Sequence, residues 1–139
     1  MLPYEIVEHT ADIGIRARGA TEGELFTHMA QGMFSLIVPL EQIRLRDSVE
    51  VRAQASDWEH LLIVWLKELL FLFDTKHLLG RDFKITRLEP CLIEATVSGE
   101  TLDLQVHQVD KEVKAVTYCD FFLRQDPDGI YRAQVIFDI

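Results

Sequence analysis

The chain has 139 residues, 48% apolar and 27% charged, the proportions of an ordinary soluble globular protein and enough chain for one domain with a real core over 1–139. Its 14 basic and 23 acidic residues leave a formal charge of −9. That excess disfavours stable direct binding to nucleic acid, where Lys and Arg must neutralise phosphates, and favours a cation or a partner with a basic surface. Cys91 and Cys119 stand far apart without paired spacing, which excludes a disulfide scaffold and points to a reducing compartment, the cytoplasm. Nothing at the start of the chain reads as a secretory signal.

In chain order, Ile13, Ile15 and Ala17 alternate with Gly14, Arg16 and Arg18, predicting a half-buried strand that ends at Gly19. Thr21 and Glu24 make a capping box before a helical face of Leu25, Phe26, Met29, Ala30, Met33, Phe34 and Ile37, closed by Pro39. Gly32 inside that helix implies close approach to a neighbouring strand. Val49, Val51 and Ala53 predict another strand. Ser56 and Glu59 repeat the capping signature ahead of a helix from about Asp57 to Phe73, apolar nearly all round and therefore the expected central helix. Lys67 and Glu68 interrupt its apolar stretch, which is too short and too charged to span a membrane. Gly80 reads as the end of a loop. Strands are then expected over 83–88, 92–98, 102–107, 113–123 and 130–137, with turns at Gly99-Glu100 and at Asp126-Pro127-Asp128-Gly129. Helices early and hairpins late predict an α+β fold: two main helices on a largely antiparallel, possibly mixed, sheet.

Phosphate loops, paired-cysteine zinc spacings and nucleophile elbows are missing from the sequence. Cys119 with His107 is the one conceivable nucleophile–base pair, and its spacing lends it no support. Arg16 and Arg18 on one strand face, with Arg44 and Arg46 after the first helix, read as an RNA stripe or as scattered solvated charge, the second being the ordinary case. The last strand is followed only by Asp138 and Ile139, so Asp138 adjoins the Ile139 α-carboxylate. If Asp12 folds beside them, three hard oxygen donors converge, the set that Ca²⁺ or Mg²⁺ takes; otherwise Asp12 caps a turn and the terminus is solvated. His9, three residues before Asp12, either lines such a site or orders the turn by backbone hydrogen bonds. Lys114 alternates with Val116 and Tyr118, pointing into a cleft or out to solvent.

Taken together, these segments resemble the archease family. The matches are His9-Thr10-Ala11-Asp12, Gly32-Met33-Phe34, Trp65-Leu66 with Glu68-Leu69-Leu70, Val113-Lys114-Ala115-Val116-Thr117-Tyr118 and the closing Val135-Ile136-Phe137-Asp138-Ile139. The resemblance implies a small α+β protein, without catalytic residues of its own, that assists an RtcB-type RNA ligase in tRNA splicing and RNA repair. It would promote guanylylation of the ligase by GTP and so allow multiple turnover. It further implies a divalent cation (Ca²⁺ first, Mg²⁺ or Mn²⁺ also) on Asp12, Asp138 and Ile139, and a functional role for Lys114. Cys119 stands where many members carry His. The competing classes are a metal-dependent hydrolase or nucleotidyl-transfer enzyme that turns over alone, and a chaperone-like binding module.

Overall fold

The computed structural model describes residues 3–8 and 11–139. Its elements run β1 (Tyr4–Glu8), β2 (Asp12–Gly19), α1 (Glu22–Ile37), a 3₁₀ turn (Leu40–Gln42), β3 (Asp47–Gln54), α2 (Trp58–Lys76), β4 (Leu78–Glu89), β5 (Leu92–Thr101), β6 (Ala115–Gln125) and β7 (Tyr131–Asp138). The strands form two sheets, one ordered β1-β2-β7-β6 and the other β3-β5-β4. Every pairing is antiparallel, so the α+β expectation holds, with two sheets in place of one and no parallel pair among the described residues.

Each helix packs against both sheets. The Thr21 hydroxyl accepts the Glu24 N–H at 3.2 Å, satisfying one of the unpaired donors of the first turn of α1. At its other end the Val38 N–H meets Phe34 O, and Pro39 stops propagation. Within α1 only Glu24 is exposed, because β2 covers one side of the helix and β4 another. A Cβ on Gly32 would lie 2.9 Å from Ile15 Cγ2, so the close helix–strand approach expected there is real. The core continues through Trp65, fully buried, whose indole N–H donates to Phe26 O and whose ring meets Phe83 edge-on. Among the described residues, no helix is long and apolar enough to cross a membrane.

Several local expectations are corrected. α1, rather than α2, is the more deeply buried helix: α2 leaves Lys67, Glu68 and Phe71 exposed along one side. Its N-cap is Asp57, which accepts the His60 N–H at 2.9 Å, and Ser56 lies outside the helix. No breaker follows Phe73, so α2 continues to Lys76 and ends on His77 in the left-handed region. Gly80 sits within β4, under Phe34, Phe83 and Val97. Gly99-Glu100 is no turn: β5 runs through it as the central strand, and a Cβ on Gly99 would overlap the Leu79 carbonyl. The turn between β4 and β5 falls at Pro90-Cys91. Residues 102–107 form no strand, because the Asp103 carbonyl and carboxylate collect the N–H groups of Val106, His107 and Gln105 locally. β1 is a further strand, half-exposed at the sheet edge.

Candidate functional site

Three of the expected site residues meet at one end of the four-stranded sheet. In the β2–β7 ladder Asp12 stands directly opposite Asp138. Residues so paired have Cα atoms about 4.5–5.5 Å apart and side chains on the same face. Ile13, Ile15 and Ala17 face the core, so Asp12 lies on the outward face with Arg16 and Arg18. Across β7, Ala115 is the partner of Asp138, and the Lys114 N–H donates to Asp138 O at 2.8 Å. Asp12 is half-buried, while Asp138 and Lys114 are exposed. Lys114 therefore points to solvent and does not enter a cleft; the buried neighbours are Val113 and Val116. The Ile139 side chain packs on the core and holds the backbone beside Asp138. His9 lies outside the described residues.

The donor chemistry at this end fits a hard cation. Two facing carboxylates supply oxygen ligands, and metal–oxygen distances of about 2.0–2.6 Å are compatible with directly paired strand positions. Among the described residues no three His, Cys, Asp or Glu side chains group to hold a metal.

The segment that delivers Lys114 is anchored at its base by a buried cluster of Glu100, Arg44 and His107, a grouping the sequence reading did not anticipate. Glu100, 3% exposed, accepts the Arg44 backbone N–H at 2.7 Å and the Arg44 Nε at 3.0 Å. Its Oε2 lies 2.9 Å from Nε2 of His107, itself 3% exposed. The other ring nitrogen, Nδ1, accepts the Asp103 N–H, which places the ring proton on Nε2 and makes His107 the donor to Glu100. Burial pushes the Glu100 carboxyl up, but the Arg44 and His107 hydrogen bonds and the Arg44 charge outweigh it and lower it to about 2. With both nitrogens engaged, His107 is not a base for Cys119. Beyond His107 the segment crosses the end of α1, where Asp110 and Lys111 donate to the carbonyls of Ile37 and Leu36. Those carbonyls lack partners within the helix, so the crossing satisfies the helix end and the crossing segment at once.

β6 carries a second irregularity close by. Thr117 pairs with Ile136 and Phe122 with Gln134, so residues 118–121 bulge out opposite Val135 alone. Asp120 turns the bulge with φ 48°, in the region Asp tolerates better than most residues. Tyr118 comes to rest on α2, with its ring centroid 5.5 Å from Lys67 Nζ and 5.7 Å from the His60 ring. Cys119 is exposed on the same bulge.

Two antiparallel sheets with a helix pair packed between their faces, and an acidic pair closing the central ladder of one sheet, define the class as a small α+β protein of distinctive topology. The profile of the archease protein family (MTH1598/TM1083) matches residues 4–139. The archeases of Pyrococcus abyssi and Thermococcus gammatolerans are 39% and 38% identical to this chain, each alignment covering all of both sequences. The solution structure of Methanobacterium thermoautotrophicum protein 1598 superposes with a TM-score of 0.82 at 31% identity, covering 99% of each chain. The crystal structure of an archease, possible chaperone, from Thermotoga maritima shares the fold at TM-score 0.63 and 19% identity, covering 96% of this chain and 94% of that one. The chain belongs to the archease family.

Proposed function

We propose that this protein activates an RtcB-type RNA ligase in the cytoplasm, promoting its GTP-dependent guanylylation and repeated turnover in tRNA splicing and RNA repair, with no catalytic turnover of its own. The observation that carries the reading is the register Asp12 opposite Asp138, with the Lys114 N–H on the Asp138 carbonyl. In this reading Asp12, Asp138 and the Ile139 carboxylate hold a divalent cation, Ca²⁺ or in its place Mg²⁺ or Mn²⁺. A bound cation would supply charge to offset a triphosphate. Lys114, exposed beside Asp138, presents an ammonium to the ligase or to the guanylate. The rigid ladder presets these groups on a strand end that can enter a partner's cleft.

The test is ligase guanylylation and RNA joining under multiple turnover, with and without this protein. Stimulation that is lost in Asp12→Ala, Asp138→Ala and Lys114→Ala is the expected result. Extending the chain by one Gly moves the terminal carboxylate about 3.8 Å along the backbone with every side chain kept. Cation affinity and stimulation should then both fall. Stimulation by all three substituted proteins at the wild-type level would sink the assignment. GTP or RNA turnover by the protein without ligase would instead favour the enzyme class.

A chaperone-like binding role is the second reading, favoured by the apolar side chains that the 102–114 segment turns outward: Leu104 at 76% exposure, Val106 and Val109. Its mark would be a gain in partner solubility that survives Asp12→Ala.

A further inference from the structure

Three large apolar side chains left exposed, Leu104, Val106 and Val109, fall close together in the chain, and none of them packs on the core. The segment that carries them has neither strand nor helix, yet it is fixed in one shape. Of the thirteen backbone N–H groups from Leu102 to Lys114, nine are hydrogen-bonded within the protein. The turn itself is closed by Asp103 and His107, so Leu104 and Val106 contribute nothing to holding it. Its place follows from α1. Only Ala20 and Thr21 separate β2 from α1, and Gly32 lies against Ile15, so the helix runs back along β2 toward Asp12. From Gly32 to Ile37 the helix advances about 7.5 Å, and from Ile15 to Asp12 the strand covers about 10 Å, so the Ile37 carbonyl stands nearly level with Asp12. Asp110 N–H is bonded to that carbonyl at 2.8 Å, and Lys114 N–H to the Asp138 carbonyl at 2.8 Å. The chain between them spans at most about 14 Å, so Val109 and the turn before it rim the acidic end.

We infer, on the ligase reading, that Leu104, Val106 and Val109 form a docking knob that seats the acidic end on the ligase, in an apolar socket beside a basic cleft. Charge decides the occupant. Around the knob Glu41, Asp110, Glu112 and Asp138 are exposed, and of the nearby lysines Lys111 is paired with Asp110 at 3.5 Å. Two copies meeting through this end would set the same carboxylates against one another, which opposes self-association. An enzyme that handles RNA and GTP offers the opposite sign, because it must neutralise phosphates. Three side chains on a fixed backbone suit a single socket. Little backbone freedom is lost when they bind, and the charges around them set the orientation of approach.

The experiment titrates this protein into a multiple-turnover RNA-joining reaction of the RtcB-type ligase. It reads two quantities, the half-saturating concentration and the stimulation at saturation. Leu104→Ser with Val109→Ser should raise the first about 10- to 100-fold, the loss of two buried apolar contacts, and leave the second at the wild-type level. Asp12→Ala should lower the second. Phe71→Ser, which removes a comparably exposed apolar side chain from α2, should change neither. Because the substituted side chains are exposed, the doubly substituted protein should melt within about 2 °C of wild type. An unchanged half-saturating concentration would overturn the inference and leave the ligase reading standing; the same rise in Phe71→Ser would overturn it too. Absence of stimulation by the wild-type protein would refute the ligase reading, and the docking assignment with it. Sedimentation showing a wild-type dimer that the double substitution dissolves would overturn it in favour of a second copy. Protection of a heat-unfolded protein from aggregation, lost on double substitution while ligase half-saturation holds, would assign the knob to chaperone-like binding instead.

Discussion

Replacing Glu100 by Gln keeps the shape of the side chain and removes its charge. The Oε2 position faces three donors, Arg44 N, Arg44 Nε and His107 Nε2, so the amide oxygen must take it. The amide nitrogen then faces the Arg44 guanidinium, where Nε and NH2 now stand 3.0 Å from Oε1, setting donor against donor. Breaking a buried pair costs about 3–5 kcal/mol. Arg44 is half-exposed, so the lower end, about 3 kcal/mol, applies. For 139 residues the unfolding entropy is about 0.3 kcal/mol/K, and the expected fall in Tm at pH 7 is about 10 °C. The pH dependence gives a sharper check. The Glu100 carboxyl is lowered from 4.5 to about 2 in the fold, so its contribution is complete above 4.5 and is lost as pH falls toward 2. The stability gap between wild type and Glu100→Gln, measured by urea unfolding followed by circular dichroism, should therefore narrow by about two-thirds between pH 7 and pH 3. A gap that stays constant across that window, or a variant as stable as wild type at pH 7, would show that the cluster is not the anchor described.

Gly32→Ala places a methyl 2.9 Å from Ile15 Cγ2, and the overpacking cost of about 1–3 kcal/mol should exceed the gain of about 1 kcal/mol in helix propensity. A melt showing net stabilisation would refute the tight α1–β2 contact. Asp57→Ala removes the N-cap of α2 and should cost about 1 kcal/mol at pH 7. The His60 backbone and side-chain hydrogen bonds hold the Asp57 carboxyl below its usual value, so that contribution should fade as pH drops through the carboxylate range; a pH-independent difference would contradict it. Asp12→Ala, Asp138→Ala and Lys114→Ala should each melt within about 2 °C of wild type, since none leaves a core cavity; a large drop would mean that lost stimulation reports lost folding.

The elements with strong periodicity were readable from residues alone. α1 announces itself by its cap and its apolar face, and β2 and β7 by alternation. Gly80 and Gly99 misled because glycine serves turns and close backbone packing alike, and only the fold distinguishes the two. β6 misled differently. The bulge at 118–121 breaks its phase, so the residue facing inward is Val116 before it and Leu123 after it, and no single alternation describes the strand. At the candidate site, the facing of Asp12 and Asp138 was legible as a conditional and is met by the register. The Glu100–Arg44–His107 cluster was not legible: Arg44 and Glu100 are 56 positions apart, and Glu100 beside Gly99 reads as part of a turn until the fold places it in a central strand.

The ladder between β2 and β7 joins residues from 112 positions apart, at Gly19 and Tyr131, to 126 apart, at Asp12 and Asp138. By contrast, β4–β5 and β6–β7 close as local hairpins. Bringing distant segments together spends loop entropy before any contact repays it, so this pairing should be a slow and late event in folding. A chain caught before that event has its hairpins but lacks the seam that sets Asp12 against Asp138. The acidic end is thus assembled by completion of the fold, and a spectroscopic probe placed there would time the last step of folding rather than the growth of any one element.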